Sequence, residues 1–194
     1  MIKQVDIKVC DKLEAVEFIR AHHSRLPNTQ KAPWQYAFGA YIGDCMVAAA
    51  LWHNPSARML PGHWLELRRL ACSEAAPHNT ASKMLGHMVR IFKKHCPERE
   101  KCISYQDVDV HTGTIYKASN WHREYFSRPR IRDRSKSRIG TKRNYRSDIN
   151  SSRVAAAGKI RWACYLNKGI DKVIADRLSE RVLLQASKVV HLTK

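Results

Sequence analysis

Two strand-length apolar runs, Q-Y-A-F-G-A-Y-I and C-M-V-A-A-A-L-W, meet at Gly43-Asp44. A glycine–aspartate step between such runs signals a hairpin, because a two-residue turn needs backbone angles that these residues reach readily. A hairpin commits the chain to a sheet, and the flanking segments must complete and cover it. I-K-Q-V-D-I-K-V-C (2–10) alternates and predicts a strand. D-K-L-E-A-V-E-F-I-R-A-H-H (11–23) predicts a helix with Asp11 as N-cap. H-W-L-E-L-R-R-L-A-C (63–72) predicts another strand. Strict alternation there puts Leu65, Leu67 and Arg69 on one face, and Glu66, Arg68 and Leu70 on the other. Ala81, Met84, Leu85, Met88, Val89 and Phe92 recur at helical spacing, with Asn79 or Thr80 as cap and an end near Pro97.

The remaining elements follow the same reasoning. K-C-I-S-Y (101–105) predicts a strand ending at Asp107, and H-T-G-T-I-Y-K-A-S (111–119) a short helix. N-W-H-R-E-Y-F (120–126) and G-K-I-R-W-A-C-Y-L (158–166) predict two strands, and residues 170–188 a terminal helix. The order is β-α-β-β-β-α-β-α-β-β with a helical tail. It implies an α/β fold: a mixed central sheet with helices on both faces. Residues 1–166 read as one domain carrying an excursion at 123–157, and 167–194 as a helical extension. That extension could pack on the core or join two copies as a homodimer.

Charge narrows the partner. Lys+Arg number 35 against 17 Asp+Glu in 194 residues, a net +18. Such a surplus favours a polyanion, nucleic acid first and an acidic membrane surface second. No apolar run approaches the ~18 residues of a membrane span, and no signal peptide opens the chain. The six scattered cysteines (10, 45, 72, 96, 102 and 164) form no C-x-x-C pair. They read as reduced, buried thiols of a cytoplasmic protein rather than a zinc site.

The surplus is concentrated. From Arg123 to Arg161 there are 13 Lys+Arg and 3 acids. The centre, R-P-R-I-R-D-R-S-K-S-R-I-G-T-K-R-N-Y-R, alternates arginine with small polar residues and cannot bury itself. Arg128, Arg130, Arg132, Arg134, Lys136, Arg138, Lys142 and Arg143 are expected to meet phosphates. Tyr125, Phe126 and Tyr145 flank the run and could stack on a base or belong to the core.

Several polar residues could do chemistry. Asp107 ends a strand, where α/β sheets bind ligands, while Asp109 reads as a helix cap. His111 would open the short helix, and Tyr116 would wall a pocket or join the core. Gly113 inside that helix suggests close approach of backbone or ligand. His22 and His23 close the first helix, where protonated histidine is favoured. A buried Arg69 demands an anion such as Asp107 or a substrate phosphate. The helix start at Asn79, Thr80 and Ser82 could hold an anion. No Gly-rich phosphate loop, H-E-x-x-H or nucleophile elbow is present.

The element order resembles the GNAT acyltransferase fold. The Q/R-x-x-G-x-G/A loop of that fold is replaced here by C-S-E-A-A-P-H-N-T-A-S-K-M-L. A narrower resemblance rests on L-E-L-R-R-L-A-C, P-H-N-T-A-S-K-M-L and I-S-Y-Q-D…H-T-G-T-I-Y-K-A-S-N-W. These segments are similar to the Mom DNA-modification proteins of phages, GNAT-like enzymes that convert adenine in double-stranded DNA to an N6-carbamoylmethyl form and so block restriction. The resemblance implies catalytic roles for Asp107, Ser82, Arg69 (with Arg68 as runner-up), Tyr36 and His23 (or His22). It also implies bound iron, for which His23, Tyr36 and Asp107 are a chemically sensible ligand set. The group donor would be acetyl-CoA or another acyl or aminoacyl donor. Two other readings stand beside it: an acetyl-CoA-dependent N-acetyltransferase for protein, tRNA or a small amine, and a non-catalytic DNA-binding protein.

Overall fold

The fold was obtained as a computed structural model that describes residues 4–23, 33–108, 110–128, 158–167 and 169–190. The elements are β1 (Asp6–Val9), α1 (Lys12–His22), β2 (Tyr36–Ile42), β3 (Cys45–His53), β4 (Leu65–Cys72) and α2 (Thr80–His95). They continue as β5 (Lys101–Asp107), α3 (Thr114–Lys117), β6 (His122–Ser127), β7 (Lys159–Tyr165) and α4 (Lys172–Val190). The order is the one expected. Seven strands form a single sheet, β1-β2-β3-β4-β5-β7-β6, in which only the β4–β5 pair is parallel.

The hairpin forms where Gly43 takes φ 58°, and Ile42 pairs with Cys45. Asp11 caps α1, its Oδ1 accepting from the backbone N–H of Leu13 at 2.8 Å and Glu14 at 3.1 Å. Such a cap contributes ~1 kcal/mol. α2 begins differently. Asn79 stands at the cap position with φ 65°, and its side chain makes no capping bond.

Both faces of the β2–β4 part of the sheet are covered, as the apolar runs of β2 and β3 require. α1 lays Ala15, Val16 and Ile19 on Ala37, Ala49, Leu51 and Ala71. On the opposite face, Met84, Leu85, Met88 and Phe92 of α2 pack on Phe38, Ala50, Trp52, Leu65 and Leu67. Phe92 is ringed edge-on by Tyr36, Phe38 and Trp52 at 5.0–5.6 Å. α4 packs on β6 over this second face, where Val182 and Ala186 join the same core. Thus α4 is partnered by the sheet of its own chain.

The structure corrects the face assigned to Arg69. Leu51 pairs with Arg69 but Trp52 pairs with Leu67, so Arg68 is an extra residue in β4. A bulge of this kind reverses the alternation beyond it. Arg69 therefore sits opposite Leu51 and follows Ala71 to the α1 face, while Leu65 and Leu67 face α2. The cysteine expectation is also corrected in part. All six are free, but only Cys96 and Cys102 are buried, and Cys45 and Cys72 are exposed.

Candidate active site

β4 and β5 pair only from Leu65↔Cys102 to Leu67↔Ser104. Beyond that point both strands continue, β4 to Cys72 and β5 to Asp107, without pairing to each other. The Arg68 bulge coincides with this separation. The sheet therefore opens at the carboxyl ends of its two central strands, where backbone groups can address a ligand.

On the α1 side of the opening the structure brings His23 together with Arg69 and His111, and Asp107 shares that face. His23 caps α1, its N–H donating to the Ile19 carbonyl at 2.9 Å. Its imidazole is pushed down to about 4 by burial, then by the positive charge of Arg69 and by His111. The expected protonated cap is thus replaced by a neutral histidine, since desolvation and a neighbouring cation outweigh the helix dipole. His22 does something else: its ring lies 4.4 Å from that of Phe18. Arg69 is itself lowered to about 10, by burial and then by Arg68. Arg68 turns away to Glu66 (3.5 Å) and to Ser56 Oγ. Of the two arginines, Arg69 is therefore the one that faces His23. Ser104 and Gln106 of β5 point to the α2 face, so alternation places Asp107 on the same side as Arg69.

On the α2 side lies the start of α2. Thr80 is buried, its hydroxyl donating to the Pro77 carbonyl at 2.7 Å. Ser82 Oγ donates to the Asn79 carbonyl at 3.0 Å, and its own carbonyl accepts from Ser119 Oγ at 3.0 Å. Ser82 is thus across the sheet from Asp107, and any shared chemistry would pass through the β4–β5 opening.

Two expected site residues, Tyr36 and Tyr116, lie elsewhere. Tyr36 begins β2, packs on Phe92 and accepts a 3.7 Å contact from Cys96 Sγ. It occupies the α2 face, level through Trp52 with Leu67 and three strands away from Asp107 on β5. His23, Tyr36 and Asp107 do not converge, so they do not fit one iron ion. Among the described residues no group of three or more His, Cys, Asp or Glu is placed to hold a metal. Tyr116 is a core residue, not a pocket wall. It stacks on Trp162 at 5.2 Å and shares a 2.9 Å hydrogen bond with Ser104 Oγ, and burial raises its phenol. His111 lies outside the short helix, which spans only Thr114–Lys117, and is exposed.

Gly113 meets the suspicion of close approach, but the neighbour is the protein itself. With φ 76°, a Cβ there would lie 2.5 Å from Gln106 Oε1 and 2.6 Å from the Trp162 ring. Sequence reasoning missed Gln106. Its Oε1 accepts from Trp162 Nε1 at 2.7 Å, and its Nε2 donates to the His111 carbonyl. It thereby ties the loop after Asp107 to the core. Nothing in a lone strand glutamine signals this; the contact depends on the glycine at 113.

Of the expected phosphate contacts, Arg128 is exposed at the end of β6. Arg130, Arg132, Arg134, Lys136, Arg138, Lys142 and Arg143, with Asp109 and Tyr145, lie outside the described residues. Tyr125 is exposed and Phe126 is in the core. An open recess of about 380 Å³ lies along the outer side of α1, between Leu13, Arg20 and Trp34, and includes none of the candidate residues. Among the described residues no helix is long and apolar enough to cross a membrane.

Comparisons with known proteins agree with this architecture. No curated protein sequence matches the chain. Solved structures do match in fold. The ribosomal-protein-S18-alanine N-acetyltransferase from Escherichia coli superposes with TM-score 0.57 at 10% identity, covering 87% of this chain and 98% of its own. A Bacillus subtilis acetyltransferase in complex with CoA gives 0.57 at 11% identity, covering 84% and 99%. A GNAT-family acetyltransferase from Streptococcus pneumoniae gives 0.55 at 7% identity, covering 84% and 100%. At such identities the likeness shows a GNAT-like fold. The sequence match is to the Mom protein family, over residues 4–160. With that match spanning most of the chain, the protein belongs to the Mom family.

Proposed function

We propose that the protein is a transferase that modifies adenine in double-stranded DNA at N6, giving the carbamoylmethyl form and shielding phage DNA from restriction. Family membership over residues 4–160 is the observation that carries this reading. The opening between β4 and β5 supports it by offering a passage between a donor side and an acceptor side. Adenine N6 is a weak nucleophile because its lone pair is conjugated into the ring. A new N6–C bond therefore requires a base to remove an N6 proton and a leaving group to depart from the donor. Asp107 is the proposed base. Neutral His23 orients the exocyclic amine without adding positive charge, and Arg69 holds the developing negative charge on the donor. The start of α2 supplies backbone N–H groups for an anionic donor. That donor must carry the CH2–CO–NH2 unit with a leaving group on its methylene carbon, because acetyl-CoA lacks the amide nitrogen and would give only an N6-acetyl group. Iron enters no step, since its expected ligands do not meet.

Reaching N6 inside a duplex demands that the base leave the stack, at a cost of a few kcal/mol. The strongly basic chain, +18 overall, can offset this through phosphate contacts. The test is direct. Cellular DNA from an expressing host is digested to nucleosides and read by mass spectrometry. A new adenine species is expected, and it should vanish in Asp107→Asn. Only unmodified adenine from a host making soluble protein would overturn the reading. Acetyl-CoA turnover on an amine without DNA would point to an N-acetyltransferase instead.

A further inference from the structure

α1 covers the β2–β4 half of its face, packing on Ala37, Ala49, Leu51 and Ala71. The β5–β7–β6 half of that face carries a different surface. Tyr105 pairs with Arg161, and Arg161 pairs with Tyr125, so the three form one rung across three strands. Their sheet neighbours Gln106, Trp162 and Phe126 all point to the other face, which fixes this rung on the α1 side. Tyr125 is 51% exposed. The Arg161 guanidinium lies over its ring, Cζ 5.2 Å from the centroid, leaving the other ring face to solvent. Glu124, the extra residue of a bulge in β6, accepts from Arg161 Nε at 2.9 Å and from Lys101 Nζ at 2.5 Å. One carboxylate thus serves two cations. The next rung joins Asp107, Lys159 and Ser127.

We infer that the Tyr105–Arg161–Tyr125 rung is the platform that receives the unstacked nucleotide of the DNA substrate, with the base on the open face of Tyr125 and Arg161 behind that ring. The inference deepens the proposed function and rests on its reading of DNA as substrate. Three features select this occupant. An exposed aromatic ring backed by a guanidinium stacks a nucleobase of any sequence. Asp107 lies two residues beyond Tyr105 on the same face, about 7 Å along β5, and Tyr125 stands two strands away, about 10 Å across the sheet, so a base laid from Tyr125 towards β5 shares the face that carries the proposed base catalyst. The arginine-rich segment leaves β6 after Ser127 and rejoins β7 at Lys159, so both its ends stand beside the same rung.

The test compares two duplexes that differ at one position, a central adenine either paired with thymine or left opposite an abasic site. Removing the partner base lowers the cost of unstacking. The wild-type protein should bind the unpaired adenine more tightly. Tyr125→Ala should lose about tenfold on that duplex, the scale of one stacked base, with little change on the paired one. Tyr125→Trp should keep the preference, because Trp also presents a stacking face. Tyr125 is exposed, so its loss leaves the fold intact, which a thermal melt checks. Equal binding of both duplexes by the wild-type protein, or an undiminished preference in Tyr125→Ala, overturns the platform. An intact Tyr125-dependent preference with no modified adenine in the nucleoside digest would overturn the proposed chemistry while leaving the platform standing.

Discussion

A histidine at a helix C-terminus ordinarily gains affinity for its proton; His23 loses it. Burial and the adjacent Arg69 hold its imidazole at about 4, against about 6.5 in an unfolded chain. The unfolded chain therefore binds more protons between these two values. Stability should be unaffected by His23 above pH ~6.5 and should fall as pH drops from there towards about 4. Ring-proton NMR should show a His23 midpoint near 4, and Arg69→Met should move it upward by removing the cation. A midpoint that stays put in Arg69→Met would show that the guanidinium is not what faces the ring. This pairing could not be read from the sequence. Both residues stand out by type, but alternation through L-E-L-R-R-L sends Arg69 to the wrong face. The bulge at Arg68 reverses it, and two adjacent arginines carry no mark of which one is extra. Tyr36 failed for a related reason. Its residue type suited a ligand, but its face and its distance of three strands from Asp107 are decided only when the sheet assembles.

Elements were more legible than the contacts between them. The hairpin, the capped α1 and the apolar stripe of α2 are local patterns, so their order followed from the sequence. α3 shrank to Thr114–Lys117 because Gly113 must take a positive φ beside Gln106 and Trp162, a constraint set by tertiary packing. The role of α4 was equally hidden, since its apolar residues lie on more than one side. Val182 is 1% exposed and packs in the core, whereas Leu184 is 58% exposed. Placing a carboxylate at each position separates docking from surface. Val182→Asp should cost several kcal/mol, as an unpaired buried charge does. Leu184→Asp should stay within about 0.5 kcal/mol of the parent. Urea denaturation measures both. Similar losses for the two would mean that α4 is buried on its outer side as well, as in a pair of copies.

At the scale of the whole molecule, charge and fold divide the work between them. The opened sheet offers a place for chemistry, yet nothing in His23, Arg69 and Asp107 would hold a polymer. The surplus of +18 would, and the span from Arg123 to Arg161 alone carries 13 Lys+Arg against 3 acids. Binding driven by phosphate neutralisation releases counterions, and the logarithm of affinity falls with the logarithm of salt by about 0.9 per phosphate contacted. Replacing Arg130, Arg132 and Arg134 with glutamine removes three such contacts if each meets one phosphate. The slope should then become shallower by roughly 2.7, and affinity should drop on every duplex regardless of sequence. The effect belongs to electrostatics and not to the active site, so the product formed at saturating DNA should remain the same modified adenine. Measuring duplex affinity from low to moderate salt decides the matter. A triple variant with weaker binding but an unchanged slope would mean that these arginines act by shaping the segment, and that the phosphates are met elsewhere on the protein.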